Sequence, residues 1–249
     1  MNLGKFEINN IYNQDSCKAI LNLPDNCVDL VVTDPPYKVI CGGHNTPKWV
    51  SGYGSSVLSK NDGKIFEHND IEFEQWIPQI YRILKDDTHF YCMCNVLNIK
   101  EIMDVCEKVG FKLHNILMWE KNTANANRWY MKNCEFTLFY RKGKAKSINN
   151  PSSKMIHKFD NIVGNKLHPT EKPVELMKLY IENSSNKNDI VLDPFMGSGT
   201  TAVACKELER NYIGFEIDKK YFDICEKRLK GITQQNKDIN CYEQFELDI

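Results

Sequence analysis

No apolar run in the 249 residues approaches the length of about 20 that a bilayer crossing needs. The opening Met1-Asn2-Leu3-Gly4-Lys5 also lacks a signal-peptide core, so the cytoplasm is the expected location and no membrane partner is expected. The ten cysteines show no framework spacing, which argues against a disulfide scaffold. Cys92 and Cys94 stand two apart on a predicted strand and so share a face. A second pair with zinc-ligand spacing is missing, and buried free thiols are therefore expected, with no metal. There is no internal repeat and no excess of either charge: 32 basic against 33 acidic residues give −1. What remains is an ordinary globular composition, 42% apolar and 26% charged. The length suits one large α/β domain with a modest insertion, so residues 1–249 are read as a single domain.

The near-zero charge hides an asymmetry. From Lys121 to Lys172 there are 11 basic residues against three acids (Glu135, Asp160, Glu171), or +8, and the rest of the chain carries −9. A basic insert on an acidic body is expected where one face meets phosphates. A solvated hairpin, such as the stretch holding Arg141, Lys142 and Lys144, would explain part of it. Lys121, Asn125, Asn127, Arg128 and Trp129 add side chains able to reach base edges or stack, and all eight are candidate nucleic-acid contacts.

Hydrophobic patterning predicts strands at Phe6 to Tyr12, Val28 to Thr33, His89 to Cys94, Phe111 to Trp119, Cys134 to Tyr140, Ile190 to Leu192 and Tyr212 to Phe215. Helices are predicted at Ser16 to Leu23, Glu72 to Lys85, Leu97 to Val109, Val174 to Asn183, Thr200 to Leu208 and Tyr221 to Leu229. Residues 38–70 are rich in Gly, Ser, Asn and Lys and read as a mobile flap, while Asn149 to Lys166 reads as loop. The alternation predicts an α/β fold whose mostly parallel sheet is covered on both faces, with Cys134 to Tyr140 antiparallel to its neighbour.

Two segments follow buried strands, at the place where open α/β sheets bind ligands. After Val28 to Thr33 comes Asp34-Pro35-Pro36-Tyr37. An aromatic amine is a poor nucleophile because its lone pair is delocalised. A carboxylate oxygen of Asp34 and the carbonyl of Pro35 can accept its two N–H bonds and localise that pair. Consecutive prolines hold those acceptors in place, and Tyr37 offers a face for a flipped-out base. A rigid turn is the plain alternative for four residues alone. After Ile190 to Leu192 comes Asp193-Pro194-Phe195-Met196-Gly197-Ser198-Gly199-Thr200. Its glycines allow close backbone approach at a helix start, and Glu216, 17 positions after Gly199, can take two ribose hydroxyls. A dinucleotide site would look similar, although Asp193-Pro194-Phe195 replaces a third glycine.

Together these motifs resemble the S-adenosylmethionine-dependent DNA amino-methyltransferases of the permuted β class, in which the D-P-P-Y box precedes a recognition segment and then the glycine motif. The resemblance covers nearly the whole chain: N-Q-D-S near the start, T-D-P-P-Y, H-P-T-E-K-P at 168 to 173, D-P-F-M-G-S-G-T-T, and Y-I-G-F-E-I-D near the end. It implies a Rossmann-like, circularly permuted, seven-stranded doubly wound sheet with a target-recognition insert at 122–166. It also implies that Phe195, Gly197, Ser198, Gly199 and Thr200 line the cofactor's methionine end with Asp193 near its amino group, that Glu216 takes the ribose, and that Asp15 takes the adenine amine. By the same resemblance His168, Thr170 and Lys172 fix the cofactor tail; without it, 168–173 reads as a helix start. The expected reaction is direct transfer to adenine N6 in double-stranded DNA. Cytosine N4, an RNA substrate and a non-catalytic nucleic-acid-binding subunit are the alternatives. A cognate restriction endonuclease and a homodimer are the partners such relatives often have. Residues 232–249 lie beyond the resemblance.

Overall fold

The computed structural model describes residues 1–36, 71–125, 130–162, 164, 167 and 170–231. Tyr37, the 38–70 segment, Asn127, Arg128, Trp129, His168 and residues 232–249 lie outside the described residues. Strands β1 (Asn2–Leu3) and β2 (Phe6–Glu7) form a small antiparallel ribbon. Strand β3 (Asn10–Tyr12) then joins the main sheet. One strand was expected over this stretch. Asn9 divides it, because its backbone is left-handed at φ 61° and its side chain accepts from Tyr212 N–H at 3.1 Å.

After helix α1 (Ser16–Ile20) come β4 (Val28–Thr33), a 3-10 turn at Phe73–Gln75, α2 (Ile77–Ile83) and β5 (Leu84–Cys94). The helix expected from Glu72 is shorter at both ends. Pro78 is tolerated only in its first turn, and Leu84 already pairs with Val28. Helix α3 (Ile99–Val109) ends at Gly110, whose φ of 114° forms a left-handed cap. The remaining elements are β6 (Lys112–Asn125), β7 (Lys132–Lys142), β8 (Ile156–Lys158), α4 (Val174–Ser184), β9 (Ile190–Asp193), α5 (Thr200–Glu207), β10 (Asn211–Phe215) and α6 (Lys219–Leu229).

The main sheet runs β3-β10-β9-β4-β5-β7-β6-β8 and is parallel except for β7, as the patterning of Cys134 to Tyr140 predicts. It has eight strands among the described residues, one more than expected. The addition is β8, three residues inside the stretch read as loop, too short for its alternation to register in sequence. Two cores flank the sheet. Phe90, Cys92 and Cys94 of β5 pack with Ile77, Ile80 and Ile102 of α2 and α3. Tyr91 and Met93 face the other way, against Leu176, Ala202 and Cys225 of α4, α5 and α6. Cys92 and Cys94 thus share a face as expected, and burial pushes the Cys94 thiol up to about 12.

The chain order places β4 and β9 side by side while their onward connections run in opposite directions, which defines a switch point between their C-terminal ends. Gly199 caps α5 there with φ 85°, and a Cβ on it would lie 2.3 Å from Cys225 Sγ of α6. Gly199→Ala is therefore expected to lower the unfolding free energy by about 2 kcal/mol, from backbone strain and collision together. Urea denaturation measures this, and an unchanged midpoint would contradict the packing.

Candidate active site

Four loops converge at the C-terminal edge of the parallel strands, after β3, β10, β9 and β4. The join between the last two is chemical as well as topological. Asp193, at the end of β9, accepts from Thr33 Oγ1 of β4 at 2.8 Å, from Thr201 Oγ1 of α5 at 2.5 Å and from Phe195 N–H at 3.1 Å. It is almost fully buried, and desolvation raises its pKa to about 6 against the lowering effect of those bonds. Its carboxylate thus clasps two strands and a helix while Asp193 also lines the cleft beside the glycine turn, where the cofactor's amino group is expected.

The glycine turn behaves as a ligand cradle in part. Gly197 has φ 55°, and its N–H donates to Glu216 Oε2 at 2.8 Å, while Asp218 N–H donates to Oε1 at 2.8 Å. Burial raises the Glu216 pKa against those two bonds. Each oxygen retains a lone pair for a further donor such as a ribose hydroxyl. Asp15 begins α1 on the neighbouring loop. One of its oxygens accepts from Cys17 N–H at 2.9 Å and the other lies 3.3 Å from Lys18 Nζ. Ser16 Oγ donates to Pro194 O at 2.5 Å and ties that loop to the turn. Phe195 meets the indole of Trp76 edge-on at 5.2 Å. Phe195, Gly197, Ser198, Thr200, Thr170 and Lys172 line one cleft together with Asp34. Gly199 is not in that lining; its missing side chain makes room for α6.

Asp34 follows β4 at the rim of this cleft. Its Oδ2 is ion-paired with Lys172 Nζ, and its Oδ1 is buried with no hydrogen-bond partner among the described residues. Burial raises the Asp34 pKa, with Lys172 pulling the other way. Pro35 is buried and Pro36 partly so. Lys172, expected on the cofactor tail, lines this cleft and pairs its ammonium with Asp34 and with Glu135 Oε2, 3.3 Å away. Thr170 is exposed beside it, and its carbonyl accepts from Lys172 at 3.2 Å.

The nucleic-acid candidates divide sharply. Lys121 pairs with Glu135 and sits 4.8 Å above the Trp119 ring centroid, so its charge is spent inside the protein. Arg141, Lys142 and Lys144 lie at the opposite end of the sheet, because β7 is antiparallel and carries the chain away from Asp34. Lys142 is buried and donates to Leu84 O at 2.6 Å and Asn26 Oδ1 at 2.7 Å. Arg141, Lys142 and Lys144 are thus remote from Asp34, and the ammonium of Lys121 is paired with Glu135. Asn125 ends β6.

Sequence reasoning missed Thr33, Thr201, Glu135, Glu171 and Arg228. Arg228 of α6 pairs with buried Glu171 at 2.7 Å and donates to Ser198 O and Thr200 Oγ1, both at 3.2 Å, bracing the glycine turn. One signal was present: Glu135 and Glu171 are two of only three acids in the basic segment, and both are paired with cations at the site.

Fold and cleft define a doubly wound α/β enzyme with a ligand site at its switch point. The DNA methylase family of N6 and N4 methyltransferases matches residues 28–227. Among curated relatives, the type II methyltransferase M.HinfI of Haemophilus influenzae is 30% identical over 96% of this chain and 72% of its own. The type II methyltransferase M2.LlaDCHI of Lactococcus lactis subsp. cremoris is 30% identical over 88% of each. The solved complex of M1.HpyAVI with SAM is 32% identical, with a TM-score of 0.66 over 88% of this chain and 98% of that one. The cytosine-N4-specific PvuII DNA methyltransferase, at 17% identity and a TM-score of 0.69 over 98% of this chain and 96% of that one, shares the fold. The chain belongs to this DNA methylase family, and DNA is its substrate.

A carboxyl whose folded pKa is raised binds its proton more tightly folded than unfolded, so Asp193 withdraws stability as pH rises from about 4 to about 6. Asp193→Asn should remove that fall, and comparing urea midpoints of the two proteins across the window reads it directly. Parallel pH profiles would contradict the assigned state of Asp193.

Proposed function

We propose that this methyltransferase moves a methyl group from S-adenosylmethionine to the N6 amine of an adenine in a specific sequence of double-stranded DNA. The observation that carries the reading is Asp34 Oδ1, a buried acceptor without a partner among the described residues, at the rim of the cleft that holds the glycine turn. A buried carboxylate oxygen without a donor is costly, and an amine N–H entering the cleft would satisfy it. The residues fit the cofactor: Glu216 has acceptor capacity for a ribose beside Gly197, and Phe195, Gly197 and Thr200 line the space next to Asp34. When bound, S-adenosylmethionine supplies a methyl group already activated by its sulfonium. Asp34 Oδ1 and the Pro35 carbonyl would accept hydrogen bonds from the amine's two N–H groups and localise its lone pair for attack, and the proton released from the methylated nitrogen would pass to Asp34 or to water. The base must leave the duplex to arrive there, and Tyr37 is positioned in sequence to stack with it.

Asp34 in place of a serine in the box favours adenine over cytosine. The relatives' type II designation supports pairing with a restriction endonuclease in the cytoplasm, and a homodimer remains the expected assembly. No helix among the described residues is long and apolar enough to cross a membrane.

Asp34→Ala is expected to keep cofactor affinity within a few-fold, measured by calorimetry, while methyl incorporation into DNA falls by about 10³-fold or more. Glu216→Ala should weaken cofactor binding and leave DNA affinity largely intact, and a titration with the reverse order would remove the ribose assignment. Sequencing modified bases in DNA from cells expressing the protein identifies base and context together; N4-methylcytosine there, or label entering only RNA, would replace the adenine reading.

A further inference from the structure

The ion pair at Asp34 is the end of a longer chain of charges. Lys172 Nζ touches Asp34 Oδ2 on one side and Glu135 Oε2 on the other, and Glu135 Oε1 is bonded by Lys121 Nζ. The four groups come from four places: the loop after β4, the segment before α4, β7 and β6. Lys172 and Lys121 are largely buried, with side-chain exposures of 6% and 17%, and Asp34 has 17%. Glu135, within the expected recognition insert 122–166, and Lys121, just before it, sit near the ends of β7 and β6, with Glu135 directly opposite Trp119 in the ladder. Nothing in the amine-acceptor chemistry by itself requires Glu135 or Lys121.

We propose that Lys172 is a positioning residue that dictates which oxygen of Asp34 is open to the target amine, and that the Glu135–Lys121 pair holds Lys172 and so ties the Asp34 carboxylate to the paired strands β6 and β7. The amine half of this rests on the proposed function; the charge chain does not. A carboxylate in a cleft can rotate, and either oxygen could then accept. With Oδ2 locked to a buried ammonium, only Oδ1 is available and its direction is set by the protein. Lys172 is itself held from two sides. Losing Glu135 would concentrate its charge on Asp34, and losing Lys121 would turn Glu135 further toward Lys172. A shift of β6 against β7 would move Glu135 and, through Lys172, Asp34.

Among the described residues, the groups within electrostatic reach of Asp34 are Lys172, Glu135 of β7, Lys121 of β6, Asp193 of β9, and the thiols of Cys92 and Cys94 of β5. Burial raises the Asp34 pKa, Lys172 and Lys121 lower it, and Glu135 raises it. For Glu135 burial acts upward but the two lysines outweigh it and bring its pKa to about 2, so Glu135 stays charged throughout the working range. The chain therefore predicts opposite signs for neighbouring substitutions. Glu135→Gln should lower the Asp34 pKa, and Lys121→Met should raise it. Lys172→Met should raise it most, by about one unit or more, with Lys172→Arg restoring the charge if the methionine variant folds poorly.

The test is a carbon-13 NMR titration of the Asp34 carboxyl in wild-type protein and in the Glu135→Gln, Lys121→Met and Lys172→Arg variants, with the pH profile of methyl transfer to DNA recorded in parallel. Opposite displacements for Glu135→Gln and Lys121→Met, matched by the acid limb of kcat with cofactor affinity within a few-fold of wild type, support the proposal. Titration curves that overlay across the variants overturn it. Displaced titrations with no Asp34-dependent transfer to any DNA base would support the charge chain and sink the reading of Asp34 as amine acceptor.

Discussion

The direct pairing of β4 with β9, fastened by Asp193, is the constraint on which the site depends. Thr33 and Asp193 are 160 positions apart, yet a 2.8 Å hydrogen bond joins them. Backbone pairing alone sets the strands side by side. The carboxylate, accepting from a hydroxyl on β4, a hydroxyl on α5 and its own turn's N–H, also fixes how far each loop projects beyond the sheet. A buried carboxylate with fewer donors would be a liability. With three, part of its desolvation is offset, although burial still raises its pKa to about 6, and Asp34 is held beside the glycine turn before any ligand arrives.

Around that clasp the charged residues work inward more than outward. Arg228 with Glu171 braces the glycine turn from α6 and the segment before α4. Lys172 holds one oxygen of Asp34, and Lys121 is drawn in through Glu135. Among the described residues, the basic groups behind the +8 excess between 121 and 172 therefore do not share one face, and Lys121, Lys142 and Lys172 are held by partners inside the protein. The exposed basic groups of the 141–144 turn are at the wrong end of the sheet for DNA bound over Asp34. Composition gives the sum of charges on a segment. It does not say which are consumed internally, because that depends on the direction of β7 and on which acids the strands bring opposite.

Much of the fold was nonetheless legible. The apolar run from Val28 to Thr33 and the shorter one from Ile190 to Leu192 are strands because they are buried on both faces, a pattern that survives in sequence without knowledge of neighbours. The alternation of Phe90, Tyr91, Cys92, Met93 and Cys94 correctly set the two thiols on one side. Illegible were features shorter than a period, such as β8, and those set by one residue's backbone, such as Asn9. The need for glycine at 199 is likewise set by a residue remote in sequence, Cys225 of α6, which packs against it.

The order of motifs along the chain, and the residue types within them, fixed the chemistry that this protein can perform: a short acceptor box after one buried strand and a glycine turn after another. These are local properties, since a proline restricts its own φ and a glycine its own steric bulk. Which oxygen of Asp34 is free, which lysine neutralises it and which carboxylate clasps the sheet were decided only in three dimensions. Each depends on groups remote in sequence competing for a few donors and acceptors in a space from which water is excluded, and that competition has no counterpart along the chain.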